Sequence, residues 1–211
     1  MTAVVRVRGE ASAEHAPDAA VLAVHARAVS PSSRAEALER ASALAAGLRA
    51  ALEPAAGVRR VVLSRVSVHE RHAWDPDTGR HRPDGWEASV SGSVRVDAGA
   101  ADSVAEVAAG AGAEIGGVAW ELDDPASARR AVRRDAVDAA REAAEDLADA
   151  VGRPLGALVE LADAGLSSTT AGGPELMMAK GRGAMGGEPE LHLDPQDVTV
   201  HAVVEATYAL D

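Results

Sequence analysis

The sequence predicts an α+β fold, and three observations carry that prediction. Stretches of apolar–polar alternation, such as Trp86-Glu87-Ala88-Ser89-Val90, require strands with one buried face. Between them lie runs whose apolar residues recur three and four apart, as amphipathic helices require. The two kinds of stretch follow one another in the order ββαββαβαββ, and the middle of that order is a split β-α-β arrangement. A largely antiparallel sheet with helices packed on one face follows from it. No low-complexity linker cuts the chain, so residues 1–211 are expected to form a single domain.

Taken in order, residues 3–14 place Val5, Val7, Gly9, Ala11 and Ala13 on one face and Arg6, Arg8, Glu10, Ser12 and Glu14 on the other. Pro17-Asp18 breaks this strand, and a second runs to Val29 with Ala20, Leu22, Val24 and Ala26 inward. Ser30-Pro31 then opens a helix, serine as cap and proline in the first turn. Its stripe reads Leu38, Ala41, Ala45, Leu48 and Leu52, and Gly57 ends the segment. Residues 58–69 resume strand character with Val62, Val66 and Val68, and Asp75-Pro76-Asp77-Thr78-Gly79 has turn chemistry. The clearest strand places Trp86, Ala88, Val90, Gly92, Val94 and Val96 inward. A short helix at 99–111 buries Val104, Val107, Ala108 and Ala111, and a strand at 114–122 alternates Val118, Trp120 and Leu122. Asp124-Pro125 caps the longest helix, which runs to Val151 with Val132, Ala136, Ala140, Ala143, Leu147 and Ala150 inward. Gly152 and Pro154 stop it; strands at 156–162 and 197–210 remain, separated by a loop at 166–194 expected to be mobile.

Composition narrows the function classes. With no cysteine there is no disulfide scaffold, thiol nucleophile or thiolate zinc site. The 33 acidic against 21 basic residues, a net charge of −12, argue against nucleic acid or an anionic membrane as partner. No apolar stretch is long enough to span a bilayer, so membrane insertion is not expected. The N-terminus enters a strand pattern at once, with Arg6 and Arg8 interrupting any leader, so the expected compartment is cytoplasmic, or periplasmic or secreted if a leader was trimmed. Alanine dominates and aromatics amount to 2%, so the core must be built of Val, Leu and Ala, each burying little area, and assembly is one way to bury more.

Several constellations invite a chemical reading. His69, His72 and His81 lie near Glu70, Asp75 and Asp77, and imidazole with carboxylate suits zinc or nickel. On an extended strand, however, His69 and His72 point to opposite faces. These residues therefore read as a solvated hairpin, with a metal-binding or enzymatic use of 69–81 as the alternative. Asp75-x-Asp77-x-Gly79 opens like a calcium loop, but its twelfth position is Trp86 where a glutamate is needed. Gly110, Gly112, Gly116 and Gly117 follow a helix and lead into a strand, the reverse of a dinucleotide site, and read as a helix stop and a bulge. Met177, Met178 and Met185, with Lys180 and Arg182, make the 166–194 loop a candidate contact for a protein partner. Arg129, Arg130, Arg133 and Arg134, balanced by Asp123, Asp124, Asp135 and Asp138, read as a solvated or intersubunit face. Neither Gly-x-Ser-x-Gly nor His-Glu-x-x-His occurs, and no catalytic, cofactor-binding or metal residue is assigned.

Three stretches together resemble the SIMPL-domain family. RGEASAEHAPDAAVL places Gly9, Ala11, Pro17, Asp18, Ala20 and Leu22 where the family has an opening hairpin. DGWEASVSGSVRV supplies the glycine–aromatic–x–alanine strand at Gly85, Trp86 and Ala88. GAEIGGVAWELDDP runs from Gly112 to Pro125, followed by the long helix and the RPLG that ends it. The chain departs from the family around Arg141, where Ala139 and Ala143 replace a frequent acid and lysine. The resemblance implies poorly defined function: relatives are often envelope-associated and linked to stress tolerance, some form rings, and an animal member acts in kinase signalling. It points to a non-enzymatic, homo-oligomeric scaffold or binding module without a cofactor.

Overall fold

The computed structural model describes residues 3–76, 79–163 and 193–211. The 166–194 segment, with its methionines, lies outside the described residues but for Leu193 and Asp194. The elements are β1 (Val4–His15), β2 (Ala19–Ser30), α1 (Arg34–Leu52), β3 (Val58–Asp75), β4 (Arg80–Asp97), a 3-10 turn at Ala98–Ala100, α2 (Ala101–Gly110), β5 (Glu114–Glu121), α3 (Pro125–Ala150), β6 (Leu155–Asp163) and β7 (Val198–Leu210). The order ββαββαβαββ is as the periodicities predict.

The strands form two sheets instead of one, β1-β7-β6 and β3-β4-β2-β5, each antiparallel throughout. The described residues accordingly group into two compact units, the first from segments 3–15, 124–163 and 198–211, the second from 16–76, 79–123 and 193–197. The expected opening hairpin does not form. β1 pairs along its whole length with β7, from Val4 opposite Ala209 to His15 opposite Val198, while β2 pairs with β4 and β5. Alternation in a sequence says which face of a strand is buried, not which strand lies beside it.

In the first unit α3 lies on β1 and β7. Its buried residues are Val132, Ala136, Ala140, Ala144 and Ala148, a single ridge of four-residue spacing. Leu147, expected inward, is 49% exposed, because the ridge that meets the sheet is made of methyl groups. The sheet answers with Val7, Ala202, Val204, Ala206 and Tyr208. At Gly9 the approach is closest: a β-carbon there would fall inside the Ala136 carbonyl and the Ala140 backbone and methyl. Asp124 caps α3 as expected, accepting the Ser127 amide at 2.8 Å, with Pro125 in the first turn.

The second unit is a double split β-α-β arrangement. β2 and β3 are parallel with β4 inserted antiparallel between them, and β4 and β5 repeat the pattern around β2. Ala20, Leu22, Val24 and Ala26 of β2 are all buried, as are Ala88, Val90, Val94 and Val96 of β4. The α1 stripe is Ala37, Ala41, Ala45, Leu48 and Leu52; Leu38 is half exposed and the smaller Ala37 takes its place inside. α2 likewise buries Ala101, Val104, Ala105 and Ala108 and leaves Val107 out. A bulge between Leu63 and Arg65 turns Val61 and Leu63 inward in place of Val62, and Gly92 opposite leaves room for the Val62 carbonyl. Gly112, at φ 82°, ends α2, and Gly117 sits at the β2–β5 register shift, as a helix stop and a bulge.

The start of α1 is three residues later than the sequence suggests. Ser33 is the cap and accepts the Glu36 amide at 3.3 Å. Buried Ser30 accepts the Ser32 and Ser33 amides at 3.3 and 3.1 Å and donates to the Glu36 carboxylate at 2.5 Å. The Ser30 hydrogen bond, with Arg40 and Ser32, holds the Glu36 carboxyl below its ordinary 4.5 against an opposing desolvation. Among the described residues no helix is long and apolar enough to cross a membrane.

Three variants test this packing and the α1 cap. Gly9→Ala is expected to lower stability by about 1–3 kcal/mol or more in denaturant unfolding, because helix backbone must retreat. Gly47→Ala, in α1 with open space around its α-carbon, is expected to be neutral or stabilising by about 0.5–1 kcal/mol. A lowered carboxyl pKa stabilises the fold above the ordinary value, and the contribution is lost as pH falls through the folded one. Wild type should therefore exceed Glu36→Gln in melting temperature at neutral pH, with the gap closing below pH 4.5.

Candidate functional site

Among the described residues, the second unit holds the histidine-bearing strands and an open groove. β2 ends at Ser30, opposite Trp86, but β3 and β4 stay paired as far as Asp75 and Arg80. Residues 70–75 and 80–85 thus continue past β2 as a two-stranded arm. The departure point is Gly85, at φ 98°, where β4 spends an extra residue against β3 and where a side chain would meet the Ser30 carbonyl and Pro31. β3 is therefore longer than 58–69; the histidines and the turn residues break the alternation that would have extended it.

The three histidines have different neighbours, His69 in the sheet and His72 and His81 on the arm. His69 Nε2 is 3.8 Å from Glu87, His72 Nε2 is 3.6 Å from Glu70, and the His81 ring meets Trp74 edge-on at 5.2 Å. The bulge falls on β4 and so does not bring His69 and His72 together. Among the described residues no three histidines or carboxylates converge as metal ligands, and Asp77 lies outside them. Asp75 and Arg82 are paired at 3.9 Å, and Arg71 and Asp84 at 3.4 Å. Trp74 itself is 59% exposed, while Trp86 and Trp120 pack against the core and Tyr208 is buried, as their strand positions predict.

One row of charge escapes sequence reading. Glu87 links His69 to Arg27 at 3.4 Å, and Arg27 reaches Glu114 at 3.2 Å, so an alternating chain crosses β3, β4, β2 and β5. Beside it the His25 imidazole lies over Gly116, where a β-carbon would collide with Nε2. Exposed pairs at such spacing contribute little to stability.

A second cluster ties strand ends together. Arg59 meets Asp97 and Asp123 at 2.6 Å each and donates to the Asp18 carbonyl at 3.1 Å. Asp123 also receives Arg95 at 3.0 Å, and its amide donates to the Asp18 carboxylate at 2.9 Å. Hydrogen bonds donated to the Asp97 and then the Asp123 carboxylate raise the Arg59 pKa above its ordinary value. In the first unit, Arg133 is paired with Asp163 at 2.7 Å, and Arg129, Arg130 and Arg134 are exposed.

Finally, an open groove of about 410 Å³ runs between α1 and the β3–β4 pair. Ala45, Ala46, Ala50, Leu63, Val66 and Val90 line it, and Arg49 and Glu53, 3.8 Å apart, stand at its rim. Sequence reading missed this groove because its residues come from three separate segments and are ordinary one by one.

Two antiparallel sheets, each with helices on it and joined in this order, define an α+β protein whose sequence signatures all serve the backbone. The family described as SIMPL, a protein of unknown function (DUF541), matches residues 5–208, and the chain belongs to that family. Comparison with curated proteins finds no match. The signature residues now have physical roles: Gly9 admits α3, Asp18 anchors Asp123, Gly85 starts the arm, and Ala20, Leu22 and Ala88 are core.

Because each histidine of the arm already faces a different neighbour, His72→Ala and His81→Ala are expected to leave zinc and nickel uptake unchanged by isothermal titration. A loss of a stoichiometric site in either variant would restore the metal-binding reading.

Proposed function

We propose that this SIMPL protein is a non-enzymatic, self-assembling scaffold or binding module. The observation that carries the reading is the arm: two strands leave the sheet without a third and hold up an exposed Trp74. An isolated two-stranded ribbon is marginal in water, and a tryptophan on such a ribbon gains most when another surface covers it. Alanine-rich cores add weight, since each buried methyl contributes little and intersubunit burial supplements it. The acid excess favours protein over nucleic acid as the partner. A link to stress tolerance belongs to the same reading and rests on the family resemblance.

Native mass measurement of the purified chain tests this directly. Species larger than one chain, growing with concentration, are the expected result. A monomer at every concentration, by mass and by light scattering, would end the self-assembly reading.

A further inference from the structure

We infer that two copies of the chain pair antiparallel through the open edge of β1, about a two-fold axis at Gly9. This rests on the self-assembly reading and names the surface that would carry it. Among the described residues β1 has a strand on one side only, which is β7. The Leu210 amide donates to the Ala3 carbonyl at 2.9 Å, so in this register the odd-numbered residues of β1 are bonded to β7. The main-chain groups of Arg6, Arg8, Glu10, Ser12 and Glu14 therefore point to the open side, where they can template another strand.

Charge selects a second copy as the occupant and sets its register. Arg8 and Glu10 lie on either side of Gly9, both well exposed and 2.8 Å apart. With Gly9 opposite Gly9 in an antiparallel pair, each Arg8 falls opposite a Glu10 of the other copy. Moving the axis by one residue sets Arg8 on Arg8 or Glu10 on Glu10, and like charges directly opposite are destabilising. Exchanging an exposed pair within the chain for one across the axis costs little.

Helix spacing agrees with that choice. α3 straddles β1 and β7, with Gly9 directly beneath Ala136 and Ala140. Joining the β1 edges therefore sets the two α3 helices two strand spacings apart, about 9–10 Å. Packed helices lie about 8–10 Å apart. Joining the β6 edges instead leaves four spacings, about 19 Å, and no contact between helices. The flank that meets the copy is suited to it. Arg133 pairs with Asp163 of β6, so the row on the other side of the buried ridge looks past β1. That row is Ala131, Asp135, Ala139, Ala143 and Leu147; Asp135 apart, it offers methyls and a Leu147 that is 49% exposed. The second unit already has this form, with α1 and α2 in contact over one sheet. The proposed contact is isologous and closes at a dimer.

Two charge reversals in the full chain test the register by native mass measurement and light scattering. Arg8→Glu leaves only acids beside the axis, and Glu10→Arg leaves only bases. Each alone is expected to weaken association at least about tenfold, because like charges then face one another. Both positions are exposed, and circular dichroism matching wild type checks that each variant is folded. Mixed one to one, the variants should recover wild-type association as heterodimers, identified by their mass, since an acidic edge now meets a basic one. If either variant alone assembles like wild type, copies meet through another surface: this inference falls and the self-assembly reading stands. Folded variants that weaken association but do not recover it on mixing overturn the inference equally. A wild type that is monomeric throughout overturns both.

Discussion

Everything in both units hangs on how closely helices can approach their sheets. Along α3 the contact is a ridge of alanines from Ala136 to Ala148 behind Val132, and the facing strand opens at Gly9 so that helix backbone comes within van der Waals reach. α1 repeats the device with Ala37, Ala41 and Ala45 against Ala26 and Ala88. Each such residue removes little apolar area from water. Close approach compensates through many short backbone contacts, whose dispersion energy is small singly and large in sum. Such seams tolerate no added volume, because interiors are already packed to crystal-like density. The near absence of aromatics is thus a packing requirement as well as a composition.

This constraint explains what the sequence made legible and what it did not. Element order was legible because the periods of two and three-to-four survive in any core. Helix faces were only partly so: Leu38, Val107 and Leu147 are the larger apolar residues and the natural choice for burial, yet all three lie half out. The seam admits methyls, so Ala37, Ala105 and Ala144 go in instead. Strand partners were not legible at all. β1 joins β7 from the far end of the chain, a pairing set by long-range packing and not by any local pattern. At the arm, opposite facing of His69 and His72 could be read from alternation. The groove could not, since it exists only where α1 and β3 come together.

The same reasoning places the family signatures. Gly9, Asp18, Gly85 and Ala88 each answer a backbone or packing demand, so these residues specify how the chain folds. Ion pairs at the strand ends behave alike. Arg59 and Arg95 converge on Asp123 and spend their charge on each other's neighbours. The parts that packing does not consume include the arm with its exposed Trp74 and the open groove beside α1.

One substitution separates the close-approach account from a simple shortage of buried area. Ala140→Leu adds apolar surface at the centre of the α3 seam. If stability were limited by area, the added side chain would raise it. If helix-to-sheet distance is limiting, denaturant unfolding should show a loss of about 1–3 kcal/mol, the usual cost of overpacking. A stability equal to or above wild type would contradict the account.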